Sequence, residues 1–414
     1  MATLTTNIDR HLALITRKTQ KLHESSKTSR LKSRMTGVID FVCRGVYYVW
    51  RNHHYITFAK MANMGIANLE FKLKREKLLS RPYKLKIEST NICNTKCQLC
   101  PTGIGLQGRD KGKMSFENYK RLIKEIKWHT VDLDLSMWGD PLIVPNIYDM
   151  IRHAKDNGIW TYISSNLHAF KIEPKRGETE DQAMKLVKSG LELMTCSLHG
   201  ATQETYEKYQ PGKKLNTAID KIKHIIRTRN AMGSSTPAVQ LNFVVTRVNE
   251  HEVEDFKKLA EDLGCKAVIS SASYNVRFMD QDNQLQQLGL ADDILEKKTK
   301  EHLNNWMPRD TEYVIKPYLE MSNTGRMPSS EFNGKKPFDC SWPWQSSVIN
   351  WDGQVVTCCG SFDPKDDMGN VFEHRFKNIW NNKSYRLARR SFRKELDSEE
   401  AGSNPCTNCP GYML

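Results

Sequence analysis

Three cysteines, Cys93, Cys97 and Cys100, stand within eight residues, directly behind a segment that reads as a strand, Lys84-Leu85-Lys86-Ile87-Glu88. Their spacing is C-x3-C-x2-C. Three thiolates on one tight loop can hold three irons of a [4Fe–4S] cube and leave the fourth iron open to a ligand. A zinc knuckle or a set of buried thiols is the competing reading. Structural zinc sites more often set one C-x2-C pair against a distant second pair, so a lone three-cysteine loop fits zinc poorly. The chain has 414 residues, enough to build a core without disulfide staples, and its eleven cysteines are clustered rather than spread.

From residue 82 the sequence alternates between strands and helices. Strands are expected at Lys84–Glu88, Val131–Ser136, Ile159–Ser164, Leu191–Ser197, Val239–Thr246 and Lys266–Ser270. Between them helices are expected at Met114–Trp128, Pro145–Asn157, Glu178–Ser189, Lys213–Arg229 and Glu250–Leu263. Ser115 is placed to cap the first helix, and Gly158, Gly190 and Gly264 to stop three others. This alternation predicts an α/β fold with a parallel sheet, and six strands suit a partial (β/α)6 TIM-like barrel. Chemistry then belongs at the C-terminal strand ends.

Four segments follow: a basic helical arm over 1–80, the barrel over 81–273, a polar connector over 274–336 with one helix near Ala291–Trp306, and a cysteine-rich domain over 337–414. In the last, two short strands flank the turn Trp351-Asp352-Gly353, and a helix is expected near Lys377–Arg393. The net charge is +14, and residues 1–80 hold 15 Lys and Arg against 5 Asp and Glu. Aromatics interleave the charge at Phe41, Tyr47, Tyr48, Trp50, Tyr55 and Phe58. Such an arm either packs on the body as a solvated helix or docks on an anionic surface. Among anionic surfaces a membrane is favoured over nucleic acid. No apolar run approaches the roughly 20 residues of a membrane span, and the first residues lack the apolar region of a secretory signal, so a cytoplasmic location is expected, with peripheral membrane contact through 1–80.

The loop Asn91-Ile92-Cys93-Asn94-Thr95-Lys96-Cys97-Gln98-Leu99-Cys100-Pro101 resembles that of the radical S-adenosylmethionine (SAM) superfamily. The resemblance implies that Cys93, Cys97 and Cys100 bind a [4Fe–4S] cluster whose open iron takes SAM, and that reductive cleavage of SAM gives a 5′-deoxyadenosyl radical that abstracts a substrate hydrogen. It places Leu99 against the adenine. Trp138-Gly139-Asp140-Pro141 stands where the family carries a Gly-Gly-Glu-like element, so Gly139 and Asp140 are expected at the SAM amino group. Ser164 and Asn166 are expected at ribose and carboxylate, and Ser197 at the end of the fourth strand. His199 replaces the Asp of many relatives. It reads as a turn residue bonded to backbone, with an acid–base role as the alternative. Gln210 replaces a frequent Arg, and Arg247 is a weaker candidate for a carboxylate clamp.

Cys340, Cys358, Cys406 and Cys409, in the pattern C-x12-G-x4-C followed by C-x2-C, resemble the auxiliary-cluster extension known as the SPASM or twitch domain. The resemblance implies one fully ligated auxiliary [4Fe–4S] cluster, with a four-cysteine zinc site as the alternative. Cys359 is expected to be a spare thiol, and Cys43, Cys196 and Cys265 to be buried small apolar residues. The function expected is an oxidoreductase acting on a small-molecule, sugar or lipid-linked substrate, with the auxiliary cluster as electron acceptor and a flavodoxin or ferredoxin as donor. The alternatives are a peptide- or protein-modifying maturase and a non-catalytic electron-transfer protein. Residues 1–80 do not read as a winged-helix peptide-recognition domain.

Overall fold

A computed structural model describes residues 53–105, 108–174, 176–274, 291–325, 340–393, 405–406 and 409. Cys43 and most of the basic arm lie outside the described residues. The chain divides into two compact units, Met1–Thr57 and Phe58–Leu414. In the first, the described residues form the short turn His53–Tyr55.

The second unit is built on one sheet. Its strands are β1 (Lys84–Ile87), β2 (Asp132–Asp134), β3 (Trp160–Ser165), β4 (Leu193–Ser197), β5 (Ala238–Val245), β6 (Lys266–Ser271), β7 (Ser346–Ile349) and β8 (Val355–Val356). The order is β6-β5-β4-β3-β2-β1-β7-β8. Strands β1 to β6 pair in parallel with their sequence neighbours, as the helical crossovers require. The six expected strands are all present, as the partial barrel. The cysteine-rich domain continues the same sheet, because β7 pairs in parallel with β1 and β8 turns back antiparallel on β7.

The strands have two unlike faces. Leu85, Ile87, Leu133, Ile163, Met194, Cys196, Leu241 and Phe243 are buried in the main core. On the other face, Lys86, Tyr162, Ser164, Ser197 and Asn242 are half-exposed. Period-2 alternation thus gives an apolar face for the helices and a polar face for the barrel interior.

The helices form where their caps allow. Ser115 accepts the Asn118 N–H at 3.2 Å and starts Phe116–Ile126. Asp181 caps Gln182–Ser189, and Gly190 ends it at φ +75°. A helix not expected from sequence, Gln203–Tyr209, stands between β4 and the long helix Leu215–Ala231. The helix expected at Lys377–Arg393 is two pieces, Phe376–Ile379 and Lys383–Arg390, with Asn382 capping the second. In the connector, helices Ala291–Trp306 and Lys316–Thr324 contribute to a second core, where Leu303, Tyr318 and Met321 pack with Leu99, Tyr209 and Tyr274.

Candidate active site

The cysteine loop leaves the C-terminal end of β1 and is closed at its base. The Asn91 amide donates to the Asp110 carbonyl at 2.8 Å, and its oxygen accepts the Gly112 N–H at 2.9 Å. The Thr90 hydroxyl donates to the Gly112 carbonyl at 2.7 Å. Inside the loop the Cys100 N–H donates to the Cys97 carbonyl. A side chain at Gly103 would meet the Cys97 backbone oxygen at 2.3 Å, so the loop closes this tightly only with glycine there.

The three thiols are electrostatic neighbours. Burial pushes Cys97 up to about 12, and the charges acting on it are those of Cys100 and Cys93. Burial also raises Cys100. Ligating thiols must be deprotonated, and mutually repelling buried thiolates call for a cationic partner. The Gln210 amide lies 3.7 Å from the Cys97 sulfur, while its own oxygen is buried without a hydrogen bond. This donor set fits an iron–sulfur cluster held by Cys93, Cys97 and Cys100. Among the described residues no three His, Cys, Asp or Glu converge tightly enough for a single metal ion. A four-iron cube asks for something else, one thiolate at each of several corners.

The turns after β2 and β3 brace this loop. Gly139 is pressed against it, since a Cβ there would lie 2.3 Å from the Thr90 oxygen and 2.6 Å from the Ile92 oxygen. The Asp140 N–H donates to the Ile92 carbonyl at 3.0 Å. The buried Asp140 carboxylate accepts the N–H groups of Leu142 and Asn166, each at 2.9 Å, and the Ser165 hydroxyl at 2.9 and 3.0 Å. Gly139 and the Asp140 side chain therefore serve the loop's support. Asn166 reaches the loop itself, its amide donating to Asn94 Oδ1 at 3.0 Å and lying 3.6 Å from the Cys93 sulfur. Leu167 holds a left-handed φ of +65°, which costs about 1–2 kcal/mol for a residue with a Cβ. Its carbonyl accepts from Lys221 at 3.0 Å and its N–H donates to the Ser165 hydroxyl at 2.9 Å.

Across the barrel interior runs a polar row that sequence reasoning missed. Lys86 pairs with Asp134 in the β1–β2 register, and Tyr162 follows on β3. The ion pair raises Lys86 against the opposing effect of its burial. Asp134 also accepts from the Ser136 hydroxyl, the Ser136 oxygen accepts the Ser164 N–H at 2.8 Å, and the Ser164 and Ser197 hydroxyls meet at 3.2 Å. The expected residues Ser164 and Ser197 are thus brought together on the interior face.

The other expected residues separate. Leu99 is buried in the connector core. His199 is a turn residue. Its Nδ1 accepts the Val244 N–H at 3.1 Å, and burial lowers it to about 3, so it is neutral at physiological pH. Arg247 donates to the Met307 carbonyl at 2.9 Å.

Of the second cysteine set, Cys340 precedes β7, and Cys358, Cys406 and Cys409 follow β8. Burial raises both Cys358 and Cys359; the charges of Cys359, Cys409 and Cys406 act on Cys358, and those of Lys86 and Asp134 act on Cys359. Cys358 and its partners fit an auxiliary cluster. Two links join this domain to the first loop. Arg109 pairs with Asp367 and, at 3.4 Å, with Asp352. The Trp351 indole donates to the Asp110 carbonyl at 3.2 Å and leaves no room for a Cβ at Gly112. Where β1 and β7 end, Glu88 is buried and raised to about 7 by that burial. One of its oxygens, both polar atoms of the Asn350 side chain and the Trp138 indole N–H have no hydrogen-bond partner.

A thiol-bearing loop at the mouth of a partial barrel, beside a second thiol set on an extension of the same sheet, defines an iron–sulfur enzyme of the partial-barrel class. The radical SAM superfamily model matches residues 87–260, and that of SPASM, an iron–sulfur cluster-binding domain, matches residues 340–410. The chain belongs to the radical SAM superfamily and carries a SPASM domain. Its cofactors are a [4Fe–4S] cluster, SAM and auxiliary iron–sulfur. A probable GTP 3′,8-cyclase from Saccharolobus islandicus is 28% identical over 190 residues, which span 45% of this chain and 56% of that relative. The mycofactocin maturase MftC of Mycobacterium tuberculosis is 23% identical over 343 residues, spanning 81% of this chain and 78% of the relative. Streptococcus suis SuiB shares the fold. Bound to SAM it aligns with a TM-score of 0.53 and 16% identity over 82% of this chain and 75% of its own, and bound to its precursor peptide SuiA with 0.54, 15%, 82% and 73%. No helix among the described residues is long and apolar enough to cross a membrane.

Proposed function

We propose that the chain is a radical SAM maturase that oxidises a peptide or protein substrate. The observation that carries this reading is the likeness to MftC across both the barrel and the auxiliary domain, against a likeness to the cyclase limited to 190 residues. It moves the assignment from the small-molecule substrate expected from sequence to the peptide alternative. When bound, SAM and the clusters supply hydrogen abstraction and an acceptor for the remaining electron.

The chain's own residues do the positioning. Cys93, Cys97 and Cys100 hold the first cluster, with Asn166 and Gln210 donating to their sulfurs. Cys340, Cys358, Cys406 and Cys409 hold a single auxiliary cluster. Ser164 and Ser197 offer hydroxyls on the interior face. Lys86 and Asp134 present a fixed charge pair on the interior face near Cys359, which orients a polar substrate group rather than an apolar one.

The test is anaerobic incubation of the reconstituted protein with SAM, reductant and one fraction of cell extract: peptide, aqueous small-molecule or lipid. 5′-Deoxyadenosine release stimulated by the peptide fraction, with a mass change in one peptide, is the expected result. Stimulation confined to the small-molecule or lipid fraction overturns the peptide assignment and leaves the radical chemistry in place.

A further inference from the structure

The helix Phe58–Lys72 is turned inside out. Its polar side chains face the protein. Lys60 donates to the Gly158 carbonyl at 2.6 Å, and the Asn63 side chain takes both backbone groups of Arg81 at 2.8 Å. Asn68 accepts from Gln345 at 2.9 Å, and the buried Glu70 accepts from Leu79, Ser80 and the Ser80 hydroxyl. Ala67 and Phe71 also pack inward, but its other large apolar side chains face outward. Phe58 is 84% exposed, Leu69 56% and Leu73 58%, with Met61 and Ile66 between them and Leu79 at 78% just beyond. Positions 58, 61, 65, 66, 69 and 73 recur at helical spacing, so they form one continuous outer stripe.

Within residues 58–79 the exposed charge has one sign. Lys72, Arg75 and Lys77 are exposed at the C-terminal end of the stripe. The two acids of the segment are withdrawn: Glu70 is buried, and Glu76 is held by Arg390 at 2.9 Å. What remains on the surface is apolar and cationic. A self-complementary contact with a second copy would stack the cationic ends or leave them unmatched. An interfacial helix on an anionic bilayer needs both features together, apolar side chains to insert and cations to meet headgroups.

We infer that the outer face of residues 58–79 is a docking surface for an anionic phospholipid membrane. The basic arm expected over 1–80 thereby gains a defined contact face within the folded unit. The assignment stands independently of the substrate.

The test uses the full reconstituted chain and sedimentation with vesicles of phosphatidylcholine alone or mixed with phosphatidylglycerol. Binding to the mixed vesicles is expected, weaker in high salt, and lower by about ten-fold or more in the variant Phe58→Ser/Leu69→Ser/Leu73→Ser. That variant changes exposed residues, so its iron content and melting temperature should match the wild type. Lys72→Gln/Arg75→Gln/Lys77→Gln should weaken the binding and reduce its salt dependence. Failure of the wild type to bind, or wild-type binding by the serine variant, overturns the proposal. So does a wild-type dimer that light scattering shows dispersed by the serine variant, since a second copy then covers the stripe.

Discussion

Cys358 and Cys359 are adjacent in the chain and turn their thiols to different surroundings. Cys358 feels the charges of Cys359, Cys409 and Cys406, whereas Cys359 feels those of Lys86 and Asp134. We propose that only the first belongs to the auxiliary ligand set. Cys358→Ala should therefore lose an entire cluster, about four irons per chain, and Cys359→Ala should retain it. Iron and sulfide analysis after anaerobic reconstitution measures both, and iron loss in Cys359→Ala would reverse the assignment.

The Lys86–Asp134 pair joins β1 to β2 inside the barrel. Asp134 is almost fully buried, so Asp134→Asn leaves the lysine charge without its partner. The loss should be roughly 3 kcal/mol, the lower end for a buried pair because Lys86 keeps part of its surface in solvent. Chemical denaturation under anaerobic conditions reads this directly. A loss below about 1 kcal/mol would class the pair with surface ion pairs.

Glu88 makes stability pH-dependent. Its folded value, near 7, lies above the ordinary carboxyl value of 4.5. The native state therefore binds a proton that the unfolded state has released, and stability falls as pH rises from the ordinary value through about 7. Glu88→Gln keeps the shape, removes the titration and should flatten this part of the curve. An unchanged slope in Glu88→Gln would assign the dependence to another group.

Asp140 gathers donors from both turns, so alanine and asparagine in its place fail differently. Asp140→Ala strands two buried N–H groups and a hydroxyl, each worth about 1–3 kcal/mol. Asp140→Asn keeps one acceptor oxygen but sets an NH2 against one of the donors. Both variants should bind SAM more weakly in equilibrium dialysis, with alanine the less stable in thermal melts. Wild-type melting of Asp140→Ala would mean the carboxylate does not hold the turns together.

The local elements were legible wherever one residue carried the signal. Ser115 and Gly190 cap and end helices as their types predict, and the alternation of Lys84-Leu85-Lys86-Ile87 marks a two-faced strand. What stayed hidden depends on partners distant in sequence. Helix Gln203–Tyr209 is capped by Thr202, but Glu252 from the next crossover also holds Thr202 and Thr205. The inverted helix Phe58–Lys72 is periodic in sequence. Which face turns inward is decided by Arg81, Ser80 and Gln345, whose groups match Asn63, Glu70 and Asn68. In the site, the cysteine spacing identified the loop. The residues that brace it, Asn166, Leu167 and Arg109, act through contacts spanning dozens of positions or more.

The most direct test of the account is the metal content of Cys93→Ala/Cys97→Ala/Cys100→Ala beside the wild type after anaerobic reconstitution, with SAM cleavage followed in the same samples. The account predicts about eight irons per chain in the wild type and about four in the variant, with 5′-deoxyadenosine formed by the wild type alone. Zinc or no metal in the variant, or SAM cleavage persisting there, would contradict it.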